Sequence, residues 1–187
     1  MSTIRQTGLK IYLVNDTSLN LNWGSRATTY KLRQMLAKVG AEVVSSLPLQ
    51  QLSHLNWEAR TASARLSQPF RAVTTYPLNK LSSVFLNNTV RFLPEVVPAQ
   101  WQNFDAFAKS VMLGKILPEV KSNLAACDLV FINGEGGIFG NQRESRMMLF
   151  IAYLAKKYFE KPVVLASHSA EFRHPVLQEI AKHVYPI

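Results

Sequence analysis

Polar residues and glycines with the capacity for ligand binding or acid–base chemistry follow three short apolar runs. These runs end at Val14, Asn133 and Ser167. In open parallel sheets, ligands bind outside the carboxyl ends of the strands, so we expect the three segments to share one edge, here called the rim. The candidate residues are Asn15, Asp16, Asn22, Gly24 and Arg26 after the first run, Gly134, Glu135, Gly136, Gly137, Arg143 and Arg146 after the second, and His168, Ser169, Glu171, Arg173 and His174 after the third.

The glycine-rich segment from Gly134 to Gly140 leads into a predicted helix. A helix N-terminus favours a phosphate or carboxylate, and glycines permit close approach. However, the segment has neither the GxGxxG spacing of a dinucleotide site nor the GKS or GKT ending of a P-loop. The glycines are equally well explained by turn geometry. Glu135 weakens the phosphate interpretation slightly, since a carboxylate repels a phosphate, and it could instead hold sugar hydroxyls.

His168 and His174 have the side chain best matched to proton transfer near neutral pH, and Arg173 lies beside them. His174 also precedes Pro175, which predicts a helix cap, and His168 is equally suited to a turn. The histidines lack zinc-site spacing, so we expect no metal. The sequence contains no GxSxG motif, which argues against an α/β-hydrolase. Cys127 is expected to be a buried, inert thiol.

Composition indicates a folded domain with an anionic partner. The chain has 187 residues, 48% of them apolar, and a net charge of +9. A single cysteine excludes an internal disulfide framework and favours the cytoplasm. No apolar run approaches the roughly 18 residues needed to cross a bilayer, and we find no signal peptide.

The stretch from Ala59 to Pro94 carries five basic residues and no acidic one. Interleaved bases and aromatics are typical of single-strand nucleic-acid surfaces but also of an ordinary basic excursion with a small core. We favour the second interpretation and do not expect a nucleic-acid partner.

Periodicity predicts a β-α-β beginning and a β-α-β end. The first part comprises a strand at Leu9–Val14, a helix capped by Ser25 and ended at Gly40, and a strand at Glu42–Ser45. Its helix should bury Ala27, Leu32, Met35, Leu36 and Val39. Further along we predict a helix with one apolar face, formed by Trp101, Phe104, Phe107, Ala108, Val111 and Met112, and a second helix that starts at Pro118. A strand at Asp128–Asn133 and a helix with a capping box at Asn141 and Glu144 follow. The predicted β-α-β end is completed by a strand at Val163–Ser167 and a helix capped by His174.

These elements predict one Rossmann-like α/β domain over residues 1–187. Its parallel sheet would be flanked by helices, and residues 46–98 would form an irregular basic excursion.

The order and spacing of Asn22-Trp23-Gly24, of Asp128 to Gly137 and of Lys161 to Leu165 with His168-Ser169 resemble polysaccharide pyruvyltransferases. The resemblance implies transfer of pyruvate, as a ketal, from phosphoenolpyruvate to a sugar or glycan without a cofactor. It also implies one half of a B-type glycosyltransferase fold. From their positions in the rim, we assign His168 and Glu135 as the catalytic residues. Here Glu135 replaces a glycine usual in the family, and the family's second domain is not found.

The resemblance implies a glycan or a nucleotide-linked sugar as partner, with a second domain or a second copy completing the enzyme. Two alternatives are a non-catalytic α/β module that binds a glycan or protein, and half of a glycosyltransferase.

Overall fold

The computed structural model describes residues 8–52, 96–136, 138–167 and 172–187. All of these except Val96 belong to one unit, made of residues 1–53 and 97–187. Predictions for Gly137, for His168 with Ser169 and Glu171, and for the basic stretch 59–94 lie outside the described residues.

The fold is α/β, with four parallel strands flanked by helices, as predicted. The strand order is β2-β1-β3-β4, which is consistent with a Rossmann-like arrangement. The strands are β1 (Leu9–Asp16), β2 (Ala41–Pro48), β3 (Leu129–Asn133) and β4 (Val163–Ala166).

Strand β2 extends beyond the predicted Glu42–Ser45. It is an edge strand with alternating exposed and half-buried positions, and it pairs with β1 as far as Pro48. Backbone pairing therefore sets its length, and no apolar run marks its end. Strands β1 and β3, in the middle of the sheet, agree with the sequence prediction to within two residues at each end.

Helices begin and end close to the predicted positions. They are α1 (Trp23–Lys38), the short α2 (Leu49–Leu52), a 3-10 turn (Trp101–Asn103), α3 (Phe104–Met112), α4 (Pro118–Ala126), α5 (Arg143–Tyr158) and α6 (Pro175–Val184).

Two predicted N-caps are wrong. Helix α1 is capped by Asn22, whose Oδ1 accepts a hydrogen bond from the Gly24 amide at 2.9 Å, so Ser25 lies inside the helix. Helix α5 follows Gln142, which makes no side-chain cap, and Asn141 binds Arg146 instead of capping.

Two other predicted helix ends are confirmed. Gly40 follows α1 with a φ of 76°, a left-handed conformation that suits glycine. His174 caps α6, because its Nδ1 accepts a hydrogen bond from the Val176 amide at 3.3 Å.

The predicted apolar face of α1 is only partly covered. Thr29 is the buried residue of this helix, whereas Met35 and Val39, which were predicted to be inward, are 57% and 78% exposed. Helix α1 packs chiefly against β2, and this contact covers only a narrow stripe of the helix surface. Helix α5, by contrast, is buried over most of its length.

Helices α3 and α5 are joined by a polar cluster around Asp105. Its carboxylate accepts hydrogen bonds from the hydroxyls of Tyr153 and Tyr158 and from the Lys157 ammonium. The hydrogen bond from Tyr153, followed by that from Tyr158, lowers the pKa of Asp105 to about 2. Burial, and then the hydrogen bond to Asp105, raises the pKa of Tyr158 to about 12.

Asp105→Asn is expected to make the stability of the fold less dependent on pH between pH 2 and pH 5. A carboxyl whose pKa is lower in the folded state stabilises the fold fully above its ordinary pKa of 3.8, and this contribution disappears as the pH falls toward about 2. Because Asp105 is exposed, solvent screening keeps the effect modest. Thermal unfolding between pH 2 and pH 5 measures it. An unchanged slope in the variant would contradict the assigned cluster.

Candidate functional site

The carboxyl ends of β1 and β3 meet at the point where the chain order of the sheet reverses. From β1 the chain crosses to β2 on one side, whereas β3 and β4 lie on the other. Ligands of open α/β sheets bind in the crevice at such a switch point. The structure therefore brings Asn15, at the start of the first predicted segment, beside Glu135, near the start of the second.

Asn15 joins the two strand ends. Its Nδ2 donates to the backbone oxygens of Asn133 at 2.6 Å and of Glu135 at 3.3 Å. Asn15 is fully buried and has a φ of 62°, a left-handed conformation that asparagine tolerates better than most residues. The strand can thus turn at this point while the side chain reaches the neighbouring strand.

A buried polar network extends from Asn133 to α1. The Asn133 amide donates to the Asn15 carbonyl and to Thr29 Oγ1, both at 3.4 Å, and its Oδ1 accepts from the Glu135 amide. Thr17 adds a hydroxyl contact of 2.7 Å to Thr29 and donates to the Ser25 carbonyl at 2.6 Å. These contacts fix the positions of the loops after β1 and β3 relative to each other.

Two buried acceptors near the carboxyl ends of β1 and β3 have no hydrogen-bond donor among the described residues. They are Asn15 Oδ1 and Glu135 Oε2. Buried polar atoms are nearly always paired, so a donor from a water molecule or from a ligand would satisfy these two oxygens. Both are oxygens, and they therefore suit a ligand that presents O–H or N–H groups.

The loop after β3 is fastened at both ends. The Gly134 amide donates to the Ala166 carbonyl at 2.8 Å, which links the ends of β3 and β4. Ser145 on α5 accepts from the Phe139 amide at 3.2 Å and donates to its carbonyl at 3.0 Å. Between these points Gly136 is exposed, with a φ of 60° and open space where a Cβ would lie. The loop therefore has room beside Glu135.

Asp16 is held inside the protein. It is 4% exposed, forms a 2.6 Å ion pair with Arg33 and accepts from the Ser18 amide at 2.9 Å. Burial opposes its ionisation, but the hydrogen bonds from Ser18 and Arg33 outweigh burial and lower the pKa of Asp16. Asp16 thus shapes the loop after β1, and its partner Arg33 was not among the predicted residues.

The other candidates of the first segment lie at the start of α1. Asn22 is exposed and engaged as the cap, Gly24 follows it, and Arg26 is an exposed cation in the first turn. A Cβ at Gly24 would come within 3.3 Å of Asn22 Oδ1, which favours glycine there.

Arginines of the second and third segments lie in the first turn of α5 or just before α6. Arg146 donates from Nη1 to the Asn141 carbonyl at 2.7 Å and to its Oδ1 at 3.0 Å, while its buried Nε has no acceptor. Arg143 is half-buried, and Arg173 and His174 are exposed before α6. Arg146 therefore braces the loop before α5.

Cys127 is buried between α4 and β3, as predicted. Its thiol donates to the Leu124 carbonyl at 3.6 Å, and burial raises the pKa of the thiol. A buried thiol that is held protonated is a poor nucleophile.

Within the described ranges, no group of three His, Cys, Asp or Glu residues is arranged to hold a metal ion. No helix in this part of the chain is both long enough and apolar enough to span a lipid bilayer.

Comparison of the chain with protein-family models, with curated proteins and with solved structures finds no match. The fold and the site thus define an α/β protein with a buried polar network at the switch point of its sheet.

Proposed function

We propose that the rim binds a hydroxyl-rich ligand, namely a sugar of a glycan or of a nucleotide-linked sugar. The observation that supports this proposal is the lack of a donor for two buried oxygens, Glu135 Oε2 and Asn15 Oδ1, on residues joined by the hydrogen bond from Asn15 Nδ2 to the Glu135 carbonyl. Sugar hydroxyls donate to carboxylate and amide oxygens and would satisfy both atoms. At neutral pH a phosphate donates hydrogen bonds to these two oxygens less readily than a sugar hydroxyl does. Its negative charge would also be repelled by Glu135.

We further propose that this ligand is the acceptor in a pyruvyl transfer, with the chain acting as one half of a B-type glycosyltransferase fold. The net charge of +9 attracts phosphoenolpyruvate or an acidic glycan. Arg26 and Arg143 lie in the first turns of α1 and α5, the helices that follow β1 and β3. Cations at these positions would offset the charge of a donor substrate.

In the proposed reaction, the methylene carbon of phosphoenolpyruvate gains a proton and becomes the methyl group of pyruvate. Two acceptor hydroxyl oxygens bond to the central carbon, and the bond from that carbon to the phosphate oxygen breaks. Of the two protons lost by the acceptor hydroxyls, one restores the group that protonated the methylene carbon. The other leaves with inorganic phosphate. Glu135 would accept the proton of an attacking hydroxyl, and His168 would supply the proton to carbon.

Glu135→Gln is expected to reduce ketal formation by about 100-fold or more, because the variant keeps the shape of the side chain but loses the proton acceptor. Purified protein is incubated with phosphoenolpyruvate and acceptor glycans, and the ketal methyl group and released phosphate are followed by NMR. Glu42→Gln is the matched control, since Glu42 is exposed near the opposite, amino end of β2. Failure of the unaltered chain to bind the glycans or to form a ketal would count against the proposal.

A non-catalytic glycan-binding module is the second candidate. It is favoured by the engagement of Asp16 and Arg146 in contacts within the protein, whereas the unsatisfied oxygens of Asn15 and Glu135 suit binding. Glycan binding that is weakened by Glu135→Gln but never yields a ketal would select this function. Protection from heat by a nucleoside diphosphate, without protection by phosphoenolpyruvate, would instead select a glycosyltransferase half.

A further inference from the structure

An apolar cavity of about 230 Å³ lies between α5, the end of α6 and the edge strand β4. It exceeds the roughly 150 Å³ of an apolar protein cavity that takes up benzene. Its lining is almost entirely aliphatic: Ile132, Ile138, Met148, Leu149, Ala152, Lys156, Val163, Leu165, Val184, Tyr185 and Ile187.

The cavity arises from one small residue on α5. Met148, Ala152 and Lys156 are spaced by four positions and therefore lie along one face of the helix. The side chain of Ala152 ends at Cβ, so the space between its two larger neighbours is not filled. Protein interiors are otherwise close-packed, and an apolar space of this size forgoes many dispersion contacts that a ligand would restore.

The floor and the mouth of the cavity differ in chemistry. Ile132 and Ile138 are 2% and 0% exposed and form part of the floor, whereas Lys156 and Tyr185 are exposed and lie at the mouth. Lys156 is the lining residue with a charged side chain. In the described part of the chain it forms no ion pair, whereas its neighbour Lys157 is bound to Asp105.

We infer that this cavity binds a free medium-chain aliphatic carboxylate, with the chain on the apolar floor and the carboxylate at Lys156. Scaled from the benzene-sized cavity, the volume holds a chain of about eight carbons. Each methylene group buried in the cavity strengthens binding by about fourfold. A single cation at the mouth matches a carboxylate, whereas a sugar or a nucleotide would leave its polar groups unpaired against the aliphatic wall.

Isothermal titration of the full chain with octanoate tests the inference. Octanoate is expected to bind, 1-octanol to bind about fivefold more weakly for lack of charge, and butyrate to bind at least tenfold more weakly for lack of chain length. Absence of octanoate binding would overturn the inference, as would equal affinities for octanoate and butyrate.

Variants locate the binding. Ala152→Leu fills the cavity and is expected to weaken octanoate binding at least tenfold, and Lys156→Gln about fivefold. Lys157→Gln, the matched control, should change the affinity by less than twofold. Because Lys156 is exposed, its variant should fold even if Ala152→Leu does not. Binding unchanged in Lys156→Gln, together with no nuclear Overhauser contacts from octanoate to the Ile132 and Ile138 methyl groups, would overturn the assignment.

Discussion

Asn133→Ala is expected to lower the free energy of unfolding by about 2–4 kcal/mol, since it leaves buried partners unsatisfied and opens a small cavity. The substitution removes the donor to the Asn15 carbonyl and to Thr29 Oγ1, and the acceptor for the Glu135 amide. Asn133 is fully buried, so water replaces these contacts poorly. The loops after β1 and β3 should consequently lose their fixed separation, and ligand binding at the rim should fall with stability.

Urea denaturation measures the stability loss, and Asn22→Ala is a matched control at an exposed asparagine. The control removes only a helix cap and should cost about 1 kcal/mol. If Asn133→Ala cost no more than this control, the buried network would not be what holds the rim together.

Phe104→Ala is expected to cost about 3–5 kcal/mol, the range for removing a large aromatic side chain from a core. Phe104 is 1% exposed and lies at the centre of a ring cluster, with centroids at 5.1 Å from Trp101, 5.3 Å from Phe150 and 5.5 Å from Tyr153. The backbone that holds the three neighbouring rings would stay in place, so the alanine would leave a cavity.

Phe107→Ala is the control for this prediction. Phe107 lies one turn away on α3 and is half-buried, and among the described residues its ring contact is an edge contact with Phe150 at 6.5 Å. Its loss should be clearly smaller in the same denaturation experiment. Equal losses for the two variants would contradict the central packing role of Phe104.

The sequence predicted the sheet well because buried parallel strands are continuous apolar runs. The run ending at Val14 and the run ending at Asn133 were recognisable for this reason, and they form the neighbouring strands β1 and β3. Helix caps were less predictable. Ser25 and Asn141 have suitable side chains, but α1 begins earlier and is capped by Asn22, whereas α5 follows Gln142 without a side-chain cap.

The candidate site was predictable in position and not in its internal contacts. Parallel strands place their carboxyl ends at one edge, which brings Asn15 and Glu135 together. The hydrogen bonds between Asn15 and Asn133 join residues 118 positions apart and depend on strand register. Thr29 and Ser145 were missed for the same reason. The only signal in the sequence for Thr29 was a polar residue within a helix predicted to be amphipathic.

The cavity beside α5 was not predicted either. Ala152 interrupts a row of larger side chains, but an alanine in a helix is ordinary, and the space above it depends on where α6 and β4 lie. Such features emerge only when three separate elements pack together.

The central claim, that the crevice between β1 and β3 binds a hydroxyl-rich ligand through Glu135, is tested most directly by NMR. Amide shifts of the ¹⁵N-labelled chain are recorded as an acceptor oligosaccharide is added, for the unaltered protein and for Glu135→Gln. We expect the largest shifts at Asn15, Gly134 and Glu135, and their loss in the variant. Shifts confined to α3 and α6, or shifts at the crevice that persist unchanged in Glu135→Gln, would contradict the claim.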